Sequence, residues 1–540
     1  MNGGLVDQPS AAIPQAAGSS LLAGRLTDVG FGLLFVLATG AFMIWGLDYT
    51  NSTEVTIFVL ATVIGLFMAF NIGGNDVANS FGTSVGAGTV TIKQALGIAA
   101  IFEVSGAIIA GGEVTKTIRK GIVDLGSLEI EPMQFVFIMM SALLAAALWL
   151  LFATRRGWPV STTHSIVGGI VGAAITLGAL IGGADTALAL VQWDQIGLIA
   201  ASWVVSPLLG GLASFALFGL IKTFILLYND RMQAQIDELQ AEQRGLEETR
   251  SVALDGLSDA EKVSAMEAME RDARAIEGGG ASEAALETDV YKKIFRLKVE
   301  RSTINADKAL RNLVPIVAAG GAAIISAMLL FKGLKNLDLG LSTLDNFLIM
   351  GMVSSLAWMA TYVFARSLRG QELDRTTFIL FAWLQVFTAC GFAFSHGAND
   401  IANAIGPFAA ILDVIKTGRI DDTASVPTPA MVAFGVALVV GLWFIGKEVI
   451  QTVGHNLTKM HPASGFAAEL AASAVVLMAS LLGIPVSSTH ILIGAVLGIG
   501  LVNKQTNWGL MKPIGLAWVI TLPAAALLAA AGFVTLNAIF

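Results

Sequence analysis

The chain has 540 residues, of which 55% are hydrophobic and 13% charged, and its mean hydropathy is +0.74. No soluble domain of this length has that composition. A net charge of −8 argues against a nucleic-acid partner, and the single cysteine, Cys390, excludes an internal disulfide framework.

Residues 1–25 are small and polar, with no basic start before an apolar stretch. No cleavable signal peptide is expected, and the first helix is read as the insertion signal. Apolar runs then recur at 30–47, 55–71, 93–112, 133–153, 163–183, 195–227, 312–332, 343–364, 375–394, 430–446, 466–483, 489–502 and 510–539. About 20 residues cross roughly 30 Å of hydrocarbon. Some of these runs are too short and others long enough to hide a break, which leaves about twelve spans. The fold class is an all-α polytopic membrane protein; a transmembrane barrel would show short alternating segments. The domain plan is a polar tail at 1–25, a first transmembrane repeat at 26–227, a linker at 228–311 and a second repeat at 312–540.

The linker holds 18 acidic and 13 basic residues, 31 of the 72 charges in the chain, so it reads as solvated and partly helical. Ser258 and Glu261 form a capping-box pattern, and Gly278 to Gly280 a stop. The basic stretch "YKKIFRLKVER" abuts a span and places the linker in the cytoplasm.

Two motifs are written twice. "GGNDVANS" from Gly73 echoes "HGANDIANA" from His396, with Gly73 and Gly397 324 positions apart. "GWPVSTTH" from Gly157 echoes "GIPVSSTH" from Gly483, at an offset of 326. A weaker echo joins "EVTKTIRKGI" from Glu113 to "EVIQTVGHNL" from Glu448. Landmarks in one order mean a duplicated unit. Odd span parity would lay the copies inverted, with polar sites that meet near the midplane and serve alternating access.

In the P-V-S-[ST]-T-H element, Pro159 and Pro485 suit the start of a helix rather than its interior. The hydroxyls that follow suit N-caps. The reading is a broken helix whose N-terminus faces inward, where free N–H groups, hydroxyls and the dipole bind a small oxyanion. The candidate anion ligands are Ser161, Thr162, Thr163, Ser487, Ser488 and Thr489. His164 and His490 end the motifs and either touch the anion or orient its ligands. Zinc is not expected there, because cysteine and carboxylate partners at metal spacing are missing.

Asn75 and Asn79, like Asn399 and Asn403, are four residues apart and share a helix face. Asp76 and Asp400 lie beside them, and Gly73, Gly74 and Gly397 are read as freeing backbone carbonyls. Carboxylate, amide and carbonyl oxygens form the ligand set of a hard cation such as sodium. Neither motif carries lysine or arginine, so an anion beside two carboxylates would be repelled unless bound sodium supplied positive charge. That requirement couples the two ligands reciprocally. Glu103 and Glu469 also lie within apolar segments, where carboxylates are functional by default. Aligning the halves pairs them with Leu438 and Leu143, so they are not copies of each other.

These residues resemble the inorganic phosphate transporter (PiT) family, whose G-A-N-D-V-A-N-A signature is similar to Gly397 through Ala404. The first copy departs from it at Gly74 and Ser80, and the second P-V-S-T-T-H carries Ser488 for threonine. The resemblance implies two inverted repeats with re-entrant breaks, a large cytoplasmic loop, a homodimer in the plasma (inner) membrane, and inward phosphate transport driven by sodium or protons. "NDVANSFGTSVGAGTVTIKQA" and "KTIRKGI" look more like the sodium-driven branch, which has membrane glutamates where Glu103 and Glu469 fall. Sodium is then a coupling ion, with no resident cofactor and no catalytic residue. A proton-coupled phosphate or sulfate permease is the alternative. An intramembrane hydrolase would need a full site in each half, and paired carboxylates argue against an anion channel.

Overall fold

The computed structural model describes residues 21–124, 130–279, 281–333, 340–420 and 426–540. The expected tail at 1–25 lies mostly outside them. Twelve helices among the described residues are long and apolar enough to cross a membrane, from Arg25–Tyr49 to Trp508–Ile539. The 16-residue helix Ser488–Asn503 falls short of a full span. No strand occurs among the described residues, only a lone bridge between Val123 and Val191.

Helix starts follow local chemistry. Thr91 and Gln94 close a capping box at Ile92–Ala110, and Glu131, with Pro132 as the first helical residue, does so at Pro132–Arg155. Pro132–Arg155 and Pro462–Leu481 are buried along most of their length. In contrast, Leu33, Val36 and Ile44 on Leu21–Tyr49 are exposed, as a lipid-facing surface requires.

The chain packs into two compact units. The larger comprises the described residues within 1–219, 318–356 and 381–540, and its helix contacts are written twice, as its motifs are. A Cβ on Gly397 would overlap the carbonyl oxygen of Glu103, and one on Gly73 that of Leu438. Gly106 likewise abuts the Phe394 carbonyl, and Gly441 that of Phe70. Further on, Gly168 and Gly172 sit against Leu522 and Ala526, while Gly494 and Gly498 sit against Pro207 and Gly211. Small residues let backbones approach this closely.

These contacts correct one expectation. Gly73 and Gly74 open a π-helical turn rather than unwinding the chain, and Gly397 stays within an α-helix. The first motif continues from Val55–Ile72 through a π-helical turn at Gly73–Val77 into Ala78–Gly86. The second is helical from Leu373 to Asp400, is interrupted only at Ile401, and resumes at Ala402–Thr417. The glycines make room for a neighbouring helix instead; Gly74 faces the side chain of Ile445.

The smaller unit comprises residues 220–317 and 357–380. Its helices Leu227–Asp255, Asp259–Glu277 and Asp289–Thr303 carry most of the charged linker. Ser258 and Glu261 form the expected capping box, and Gly278 caps the helix end. Buried Asp272 accepts from the N–H groups of Glu287 and Thr288, both at 2.8 Å, and from the Thr288 hydroxyl at 2.6 Å.

Candidate functional site

Both P-V-S-[ST]-T-H elements break the helical run. After Gly157 (φ 65°) and Gly483 (φ 70°) the chain runs extended, and new helices start at Thr162–Gly182 and Ser488–Asn503. Ser161 and Ser487 are their N-caps. Each hydroxyl oxygen accepts from the N–H of the histidine three residues on, at 3.1 Å for His164 and 3.2 Å for His490. Neither hydroxyl proton has an acceptor among the described residues, so both can donate. The first turns are buried on both sides, with Ser161 through His164 and Ser487 through His490 all within the core. Two helix N-termini with their unpaired N–H groups thus end inside the larger unit, a setting that favours an anion.

The two aspartates lie beside these turns. The Thr489 hydroxyl donates to Asp76 Oδ1 at 2.7 Å, joining the second P-V-S-S-T-H element to the first N-D motif. The Ser488 hydroxyl donates to Asp400 Oδ2. Thr163 donates to the Val486 carbonyl at 2.8 Å and accepts from Asn403 Nδ2 at 3.2 Å. Asp76 Oδ2, Asn403 Oδ1 and Thr162 Oγ1 are buried with no hydrogen-bond partner among the described residues. One ligand atom each from Asp76, His396 and Asp400 lies within 4.8 Å of the others, so these residues suit a cation. No lysine or arginine is buried among the described residues.

His396 bridges two carboxylates: its Nδ1 lies 2.7 Å from Glu103 Oε2 and its Nε2 2.7 Å from Asp400 Oδ2. All three residues are buried. Glu469 forms a separate oxygen-rich cluster. Its Oε1 accepts from Thr83 at 2.7 Å, from Ser84 and from Gln385 Nε2 at 3.1 Å; its Oε2 accepts from Thr388 at 2.9 Å.

His164 and His490 meet edge to face with ring centroids 4.5 Å apart. Trp203 lies 3.8 Å from His164, and Trp518 lies 3.8 Å from His490. The four rings form a row, each histidine with its own tryptophan.

Asn75 is committed to the first break. Its Nδ2 donates to Thr154 Oγ1 and to the Trp158 carbonyl, both at 3.0 Å, and its Oδ1 accepts from Val160 N at 3.1 Å. The Asn399 amide makes the counterpart contact, 3.0 Å from Ser480 Oγ. These asparagines tie each N-D helix to the chain beside its break. The Asn79 side chain lies outside the described residues. Sequence reasoning missed His396, Thr83, Ser84, Gln385, Thr388, Trp203 and Trp518. The signal for the first three was polarity inside apolar chain: His396 immediately precedes the second motif, and Thr83 and Ser84 follow the first.

These features define a multi-pass helical membrane protein with a buried, carboxylate-rich polar site assembled from duplicated motifs. Residues 72–529 match the phosphate transporter family, and the chain belongs to that family. A relative from Mycobacterium bovis, provisionally named a phosphate permease, is 60% identical over 517 residues, covering 96% of this chain and 94% of its own. The chloroplastic inorganic phosphate transporter 2-1 of Arabidopsis thaliana is 34% identical over 481 residues, 86% of this chain and 70% of its own. A solved structure described as the sodium-dependent phosphate transporter is 31% identical with a TM-score of 0.68, and the match covers 90% of this chain and 100% of that one. These are names of permeases and transporters, not of enzymes.

Proposed function

We propose that this chain is a sodium-coupled phosphate symporter working by alternating access between two inverted repeats. The observation that carries the reading is the junction of one hydroxyl-bearing helix N-terminus, that of Ser488–Asn503, with the two N-D aspartates, seen in the Thr489–Asp76 and Ser488–Asp400 bonds. Phosphate takes the N-termini of Thr162–Gly182 and Ser488–Asn503. Sodium takes carboxylate oxygens of Asp76 and Asp400, with Asn403 Oδ1 as a further acceptor. Each charge offsets the other in a site without lysine or arginine, which couples the two fluxes. The Glu469 cluster, with three hydroxyls around one carboxylate, suits a second hard cation. In this reading the protein is a homodimer in the plasma membrane, with residues 228–311 in the cytoplasm.

Proton coupling is the second reading, favoured by His396 standing between Glu103 and Asp400. Labelled phosphate uptake into proteoliposomes, with sodium and pH gradients imposed separately, decides between them. Uptake that saturates and follows sodium supports the symporter. Uptake that follows pH alone transfers the coupling to protons, and linear uptake under neither gradient removes both.

A further inference from the structure

Ser488 and Thr489 are consecutive, buried, and aimed at different carboxylates: Ser488 donates to Asp400 and Thr489 to Asp76. They occupy the first turn of Ser488–Asn503, where the anion is placed. A hydroxyl has one proton. While that proton points at a carboxylate, it is not available to phosphate.

We propose that this pair is the coupling element itself, a hydroxyl switch that exchanges carboxylate for phosphate. The proposal rests on the sodium–phosphate reading and adds to it the residues that link the two ligands. Sodium held between Asp76 and Asp400 draws on the charge that binds the two hydroxyl protons: it can enter on the unpartnered Asp76 Oδ2, and at Asp400 Oδ2 it contests the oxygen with Ser488 and with His396 Nε2, so that both hydroxyl bonds weaken and are displaced. Once displaced, both protons turn to the phosphate oxygens. Phosphate bound in that way removes two competitors from the carboxylates, so each ligand raises the affinity for the other.

The switch belongs to one half. The counterparts of Ser488 and Thr489 are Thr162 and Thr163. Thr163 donates to the Val486 carbonyl, and Thr162 Oγ1 has no partner among the described residues. Neither donates to an aspartate, so the duplicated element supplies anion ligands in both halves but linkage from the second alone.

The test is equilibrium binding of labelled orthophosphate to the purified protein in sodium chloride and in choline chloride, with sodium binding measured separately without phosphate. Ser488→Ala and Thr489→Val are expected to weaken phosphate binding in sodium about ten- to hundredfold, the value of a hydrogen bond to a charged group. In choline the same variants should stay within about threefold of the unaltered protein, because the lost proton was not serving phosphate there. Their sodium affinity without phosphate should hold or rise. Thr489→Ser should restore the sodium-to-choline ratio, and Thr162→Val should leave that ratio unchanged whatever it does to affinity.

Variants that keep the original ratio overturn the switch. So does a parallel fall in sodium and phosphate affinity, which is the mark of a damaged site rather than a severed link. Equal phosphate affinity of the unaltered protein in both salts sinks the symport reading itself, and the switch with it.

Discussion

Replacing Glu469 by glutamine or by leucine separates its charge from its hydrogen bonds. In Glu469→Gln the retained carbonyl oxygen still meets Thr83, Ser84 and Gln385, three of the four donors. The new amide faces Thr388, whose hydroxyl has a second acceptor in the Gln385 carbonyl at 3.1 Å and can receive the amide proton. Only the charge assistance is lost, which costs roughly 1–2 kcal/mol. Glu469→Leu supplies the residue that stands at the matching place of the first half, Leu143, but strands all four donors. Some of the hydroxyls can fall back on helix carbonyls, so the penalty is roughly 3–6 kcal/mol rather than the full sum. Thermal unfolding in detergent, followed by size-exclusion elution, should place the glutamine variant close to the unaltered protein and the leucine variant well below both. The glutamine variant should also fail in sodium-driven uptake, having kept its shape and lost its charge. Leucine and glutamine variants melting together would refute the argument, because the cluster would then contribute nothing to folding.

Asp76→Asn and Asp400→Asn should each abolish sodium-driven uptake in a protein that still elutes normally; normal sodium activation in both would take them out of the ion site. Gly73→Ala and Gly397→Ala should lower the unfolding temperature, since the added Cβ overlaps the Leu438 and Glu103 carbonyl oxygens, whereas Gly97→Ala, with open space around it, should not. Ser161→Ala and Ser487→Ala should lose a cap worth about 0.5–2 kcal/mol and weaken phosphate binding by similar factors; wild-type affinity in both would move the anion elsewhere. In the linker, burial pushes the Asp272 carboxyl up, but bonds from the Thr288 hydroxyl and the Glu287 and Thr288 N–H groups outweigh it and hold the carboxyl below its ordinary value. Its contribution is therefore complete above the ordinary carboxylate range and lost as pH falls through the lowered value. Hydrogen exchange at the Thr288 amide should show protection that persists through the ordinary aspartate value and is lost only on acidification below it, and protection unchanged in strong acid would remove the carboxylate from that role.

The spans, the helix breaks and the duplicated motifs were legible because each rests on a local rule. An apolar run of sufficient length, a proline followed by a capping serine, and a repeated order of landmarks need no tertiary knowledge. Ser161 and Ser487 cap their helices as that pattern requires. The glycines are ambiguous in sequence, because glycine permits both unwinding and close approach, and only the position of Leu438 or Glu103 shows the close approach. His396 was passed over because one polar residue at the edge of a motif has no periodicity, and its partner Glu103 is 293 positions away. Residue type alone points the asparagines at an ion, and only the fold shows that Asn75 spends both ends of its amide beside the first break.

The His396–Glu103 pair has a consequence for descent. The positions matching His396 and Glu103 in the other half are Ile72 and Leu438, and the glycine packing that aligns them is the same on both sides. An assembly of two identical half-length subunits would have to carry that buried pair twice or not at all, since one gene would encode both copies. Joining the halves in one polypeptide lifts the constraint: one side can hold a histidine between carboxylates while its twin stays oily. A single polypeptide can therefore hold an asymmetric interior within a scaffold whose motifs are written twice.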